Sequence, residues 1–480
     1  LNAKNILNLK ARIYSKRATA AGIHYIRKGP AAPAVACNQG GDGMKKITQN
    51  LPNLLFLISF FGLLFIAANA LAVDGVIEIS QAGAEAGGIT PSDDPGFPVT
   101  VSEEGSYVLT SNLEVPADSN GIDISANRVT LDLNGFAIIG NGGDTGDGVN
   151  SFQPTVEAGS NVVVRNGAVK GMGGIGVEVG PQSRVEAIRA LGNGSEGINA
   201  TRCCVITRNT VTSNHTGIRA AASIITSNIL SYNDASGIYA TGEGTITDNK
   251  VIASGGNGVH ASSRCTITGN TVSDSGEDGV YASDGCTITG NTVTGSGVTG
   301  VHASDGCTIT GNTLRGNAKL GEGHVFSPAL GTGDGCKIIG NAVSDNGWIG
   351  IWTGTACTVS DNNVFKNGNH GINAGSGSTI TGNAAYENGN PDANTGIGIH
   401  TDAGCTVRGN TANNNGNHGI GAGPGSTVVD NTVHGNGGYG LALTGNVGYK
   451  GNVITGNANT VSSTGISMGD NVCGSDCTCP

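Results

Sequence analysis

Gly279-Val280-Tyr281-Ala282, Ser283-Asp284-Gly285, Cys286-Thr287-Ile288-Thr289, Gly290-Asn291, Thr292-Val293 is one copy of a unit that recurs along most of the chain. Its Asn reappears at 209, 228, 249, 270, 291, 312, 341, 362, 383, 410, 431 and 452, mostly in steps of 21, which marks an internal repeat. Within a copy the apolar residues alternate: Val280 and Ala282, Cys286 and Ile288, then Val293. That is the period of strands with one buried face, and helical spacing is absent. A single copy cannot bury its inward residues, so copies must stack, each strand pairing in parallel with its equivalent about 4.8 Å away. The Asn column fits a tight corner, where Asn tolerates the left-handed conformation and its amide can bond the amides above and below.

Composition agrees with a long, thin core. Of 480 residues 82 are Gly, 4% are aromatic and 13% are charged, unlike a helical bundle or an ordinary globular enzyme domain. Gly without Pro enrichment argues against collagen, and regularly spaced Val, Ile, Ala and Thr argue against disorder.

The motif Gly-[Ile/Val]-x-x…Thr-Ile-Thr-Gly-Asn-Thr-Val, clear from about Gly197 to Ile466 with weaker coils at Gly121 to Ile139 and Asn161 to Val179, resembles the right-handed parallel β-helix repeat proteins of the pectin-lyase-like group. The resemblance implies an all-β right-handed solenoid of about 21 residues per coil. Residues 73–120, with Gly75 to Ile79, Gly96 to Val101 and Gly105 to Leu109, look like the N-terminal cap of exported bacterial members, leaving 121–468 as the β-helix and 469–480 as a Cys-containing tail. Upstream, Met44-Lys45-Lys46, the apolar run Leu54 to Ala68 and Ala70-Leu71-Ala72 read as a signal peptide over 44–72, cleaved before Val73. Residues 1–43 are expected to be an over-extended gene start or an unstructured leader.

These features place the mature chain outside the cytoplasm, secreted or at the cell surface or periplasm, without an integral membrane span. Removing residues 1–72 leaves 16 bases against 35 acids. Such a surface repels nucleic acid and anionic lipid, tolerates neutral glycans and attracts divalent cations.

Twelve cysteines in an exported chain would suggest disulfides, but Cys204, Cys265, Cys286, Cys307, Cys336, Cys357 and Cys405 share one inward column with Ser223, Gly244, Ser378 and Ser426. The column calls for a small side chain, so these thiols are expected to be free and buried. Cys473, Cys477 and Cys479 instead cluster where a clip could stop the last coil fraying.

Function is sought in outward columns. The residue after Gly-[Ile/Val] is successively Asn199, Arg219, Tyr239, His260, Tyr281, His302, Gly331, Trp352, Asn373 and His400. Rings and polar side chains repeated along one face suit a linear glycan, although outward aromatics also favour strands through cross-strand packing alone. Two insertions, about 321–328 with Glu322, His324 and Phe326, and about 390–395 with Asp392, fall at the same corner beside this column. They are expected to wall a cleft floored by Gly331, Trp352, Asn373 and His400, with Gly331 leaving a notch.

Two function classes follow. One is a non-catalytic scaffold or adhesin binding a polysaccharide through Arg219, Tyr239, His260, Tyr281, His302, Trp352 and Asn373. The other is a carbohydrate-active enzyme, a lyase, hydrolase or epimerase as the resemblance implies, drawing acid/base groups from Glu322, His324, Asp392 and His400. No family catalytic motif is matched, and neither an Arg/Lys cluster nor two facing carboxylates stand out. His215, His370 and His418, each beside a turn Gly, read as solvated turn residues. Outward Thr pairs such as Thr266/Thr268, Thr287/Thr289 and Thr308/Thr310 resemble ice-binding faces, a minor alternative, broken by Lys337/Ile339. Asp284, Asp305 and Asp334, each two residues before a column Cys, could share a Ca²⁺ or simply be solvated Asp-Gly turns. No other cofactor is implied.

Overall fold

The computed structural model describes residues 75–151, 160–318, 327–462 and 464–474. The proposed leader, the signal peptide, Glu322, His324, Phe326, Cys477 and Cys479 therefore lie outside the described residues.

Each coil contributes three short strands, for example Val280–Ala282, Thr287–Thr289 and Thr292–Thr294. All stack in parallel and in register. Val280 faces Val259 and Val301, Ile288 faces Ile267 and Ile309, and Val293 faces Val272 and Leu314. Equivalents of the first strand form a ladder of seventeen, from Val99–Val101 to Asn459–Val461, which we call the first sheet. The two Thr-bearing strands of each coil build the second. Stacking begins before Gly121. Val99 already pairs with Ile122, and Ile77 with Tyr107, so strands assigned to a cap enter the same two sheets. Among the described residues helix is limited to Gln81–Ala86, capped by Ser80, with Ala84 in the core. Among the described residues no helix is long and apolar enough to cross a membrane.

The inward positions are the predicted ones: Val280, Ala282, Cys286, Ile288 and Val293 are all at most 1% exposed. The Gly of the Gly-[Ile/Val] pair is dictated by packing, because a Cβ on Gly279 would lie 2.2 Å from Val293 Cγ1 and 2.7 Å from the Gly300 carbonyl oxygen.

The Asn column is a buried ladder. Asn291 donates its backbone N–H to Asn312 Oδ1 at 2.8 Å and its Nδ2 to the same oxygen at 3.0 Å, and Nδ2 also donates to the Ile267 carbonyl at 2.9 Å. The same bonds recur coil after coil to Asn471. The corner differs from expectation in one respect. The left-handed residue is the one before the Asn, Gly269, Gly290 or Gly311 at φ 64–67°, with Arg208, Ser227 and Asp248 adopting it elsewhere. The Asn is thereby free to point inward.

A second ladder, five residues downstream, was not anticipated. Asn193, Asn214 and Asn233 form one run, and Asn317, Asn346, Asn367, Asn388, Asn415, Asn436 and Asn457 another. Between them stand Ser254, Ser275 and Ser296, whose buried hydroxyls find no hydrogen-bond partner. A Ser side chain is one amide too short to continue the ladder.

The seven column cysteines are free and buried, as expected. Cys307 N–H donates to Cys336 Sγ at 3.3 Å, whereas Cys204 and Cys405 donate to Ser223 Oγ and Ser426 Oγ at 3.0 Å. Thiol and hydroxyl thus serve one structural role. Cys203 and Cys473 are each disulfide-bonded.

Two stability predictions follow from the ladders. Asn291→Ala removes the acceptor of Asn270 and the donor to Ile267, and at about 1–3 kcal/mol per orphaned buried group it should lower the thermal midpoint by several degrees and speed amide exchange in flanking coils. The triple change Ser254→Asn, Ser275→Asn, Ser296→Asn joins the two Asn runs and should raise the midpoint; an unchanged or lower midpoint in calorimetry counts against the ladder as a stabilising device.

Candidate functional site

The outward column of the first sheet is continuous and in the expected order. Asn199, Arg219, Tyr239, His260, Tyr281, His302, Gly331, Trp352, Asn373 and His400 occupy successive rungs. Its rings pack on one another: Tyr239 on His260 at 4.7 Å, His260 on Tyr281 at 4.8 Å and Tyr281 on His302 at 5.1 Å between centroids, with the Arg219 guanidinium 5.6 Å from the Tyr239 ring. Ring faces within this run are largely taken up by their neighbours, so edges and polar atoms face out. Trp352 is different. Its rung neighbours are Gly331 and Asn373, and it is 45% exposed, a large aromatic face open to a ligand.

Two notches open along this column among the described residues, each where the column residue is Gly; most of the first insertion, one wall of the expected cleft, lies outside the described residues. The first, about 550 Å³, surrounds Gly331 and is bordered by Trp352, His302, Pro328, Asp278, Asp284 and Asp305. The second, about 380 Å³, surrounds Gly421 and is bordered by His400, His418, Asp402 and Pro424. Trp352, Asn373 and His400 occupy the rungs between Gly331 and Gly421. Removing one outward side chain from a close-packed ladder leaves a gap one coil wide, which is why the notches follow the glycines and not the insertions alone.

Asp392 lies exposed in the second insertion, its N–H donating to Asn390 Oδ1 at 2.9 Å, and borders neither notch. His400 is half-buried and places Nδ1 3.0 Å from Asn373 Oδ1. With that oxygen accepting, Nδ1 carries the proton and Nε2 keeps its lone pair.

Two of the histidines read as solvated turn residues are half-buried members of this region. His370 Nδ1 accepts the Ile397 N–H at 2.9 Å and its ring stacks on His400 at 5.7 Å; His418 Nδ1 accepts the Tyr439 N–H at 2.9 Å. Burial, helped by the neighbouring His400, pushes His370 down to about 4, and burial lowers His400 and His418 as well. They sit one position-class upstream of the column, two residues before the buried Ile, and the repeat arithmetic applied there would have grouped them.

The same upstream class places acids together at the N-terminal end of the face. Asp123 and Glu178 stand in the column itself, while Asp147 and Glu196 flank it. Burial raises Asp123, Asp147 and Glu178, with Asp147 adding repulsion on the other two. In Glu196 burial is the largest single effect and acts upward, but hydrogen bonds from Ser195, its own amide and Arg219 together outweigh it and leave the carboxyl lowered. Interacting carboxylates are thus present at this end of the face, far along the chain from the region between the insertions.

The proposed Ca²⁺ triad forms a backbone ladder. Asp305 N–H donates to Asp284 Oδ1 at 3.3 Å, Asp334 N–H to Asp305 Oδ1 at 2.8 Å, and Thr355 N–H to Asp334 Oδ1 at 2.6 Å. Among the described residues no three His, Cys, Asp or Glu side chains group as metal ligands. The Thr pairs do align in register, as Thr266, Thr287 and Thr308 show.

His370 gives a pH prediction. Its folded value lies below the ordinary histidine value, so the unfolded chain binds the extra proton first and stability falls as pH drops from about 6.5 to about 4. The protection factor of the Ile397 amide, its exchange relative to the intrinsic rate at each pH, should fall across that window and the fall should vanish in His370→Gln; an NMR titration placing His370 near 6.5 would refute the assignment.

Among solved structures the chain is similar to the Dettilon tailspike protein at 15% identity, over 68% of this chain and 57% of that one, with a TM-score of 0.30. It is also similar to a periplasmic alginate epimerase at 12% identity (79% and 85%, TM-score 0.27) and to a pectate lyase at 14% (58% and 71%, TM-score 0.27). The chain thus spans a little over half the length of the tailspike. No curated protein is matched by the sequence. The model of the right handed beta helix region matches residues 191–319, 259–390 and 329–476, and with more than half of its length so covered the chain belongs to that right-handed β-helix family.

Proposed function

We propose that this protein is an exported scaffold that binds a linear glycan along the outer face of its first sheet. The observation carrying the reading is Trp352, an exposed ring on the rim of the Gly331 notch in a chain with only two Trp. A sugar ring stacked on Trp352 would fill the notch, and following rungs, spaced about 4.8 Å apart, would meet hydroxyls with the polar edges of His302, Tyr281 and His260 on one side and Asn373 and His400 on the other. The rigid ladder holds these groups in place before binding, which lowers the ordering cost.

A second reading, carbohydrate chemistry on the same face, is favoured by groups with separated proton affinities: Glu178 raised beside Glu196 lowered, and His400 positioned by Asn373. Asp392 would contribute only from outside both notches.

Trp352→Ala should weaken glycan binding by roughly tenfold, the worth of one stacked ring, at unchanged thermal stability, when titrated against a panel of linear oligosaccharides. Product analysis of the same panel separates the readings. Unaltered chain length and composition supports a binder, whereas products lost in Glu178→Gln or His400→Ala with binding retained would establish an enzyme.

A further inference from the structure

The Gly331 notch carries charge of one sign. Asp278, Asp284 and Asp305 border it together with His302 and Trp352, and among the described residues no Lys or Arg does. Asp278 is held from two sides, its Oδ1 accepting the Thr299 N–H at 2.9 Å and its Oδ2 lying 3.4 Å from His302 Nδ1. Asp284 and Asp305 each give one oxygen to a backbone amide. An amide oxygen would accept those same bonds, so the turns need an acceptor there and not a charge. Elsewhere in the same position of the coil stand Ser263, Thr355, Ser376 and Ala403. The negative charge is concentrated on the coils that flank the notch, where nothing in the fold requires it. The nearby Arg264 is paired with Glu243 at 2.6 Å.

Resting on the glycan reading above, we propose that the Gly331 notch selects an amine-bearing sugar, a glucosamine-type residue of a cationic glycan, and rejects uronates. The ring of such a sugar stacks on Trp352 with its ammonium group in a notch whose carboxylates stand at both ends of the first-sheet strand, Asp278 at one and Asp284 and Asp305 at the other. Charge-assisted hydrogen bonds of this kind are shorter and stronger than neutral ones. A uronate carboxylate in the same place meets like charge on either side, and no Lys or Arg among the described lining residues compensates it.

The test is calorimetric titration of the full chain with equal-length oligomers of glucosamine, N-acetylglucosamine and galacturonate, at two salt concentrations. The glucosamine oligomer should bind about tenfold more tightly than the acetylated one, its advantage should shrink as salt rises, and galacturonate should not bind. In the double variant Asp278→Asn, Asp305→Asn, which keeps the oxygen acceptors for Thr299 and Asp334, the advantage should disappear while the acetylated oligomer still binds; a melting curve matching wild type verifies its fold. Tight galacturonate binding, preference for the acetylated oligomer, or an undiminished glucosamine preference in the double variant overturns the proposal and leaves glycan binding standing. Failure of the wild type to bind any oligomer, or equal binding by Trp352→Ala, defeats the glycan reading itself.

Discussion

The structure depends on one interaction repeated a dozen times: a buried Asn whose carboxamide closes the gap between coils. Each Asn receives both a backbone N–H and an Nδ2–H from the coil before it and passes its own Nδ2 on to the next Asn and back to a carbonyl of the preceding coil, as Asn291 does with Asn270, Asn312 and Ile267. Corners are where strand pairing fails, and a buried corner would otherwise leave backbone groups unsatisfied at a cost of about 1–3 kcal/mol each. By filling them from a side chain, the ladder lets every coil turn at the same place and holds adjacent coils in one register.

Close approach follows from that register. With the corner set, the first-sheet strand of most coils runs so near the opposite wall that Gly stands before its buried Val or Ile, as Gly258 and Gly279 show through their close approach to Val272 and Val293. Val, Ile, Leu, Ala, Cys and Asn side chains fill the rest of the core.

On the outer faces, stacking governs what each side chain can do. A ring with rings above and below uses its faces on its neighbours, which makes Tyr239, His260 and Tyr281 part of the scaffold as much as part of a surface. A Gly in the same column has the opposite effect. Gly331 and Gly421 open notches, and the side chains next to them, Trp352 and His400, gain a free side. Function on a solenoid face is therefore organised by where the ladder is interrupted.

The sequence by itself determined the coil, its inward residues, the free cysteine column and the order of the outward column, because a repeat of constant length converts position in the chain directly into position in space. It showed the notch at Gly331 for the same reason. The tertiary structure alone decided what depends on how neighbouring coils share atoms: that Trp352, and not Tyr281, keeps an open face; that His370 and His418 are half-buried acceptors of backbone amides; that Asp147, Glu178 and Glu196 meet across coils; and that Asp284, Asp305 and Asp334 serve the backbone of the next turn. Period and alternation specify which way a side chain points. They do not specify whether the space it points into has already been taken by the residue one coil above, and that occupancy is settled only when the coils stack.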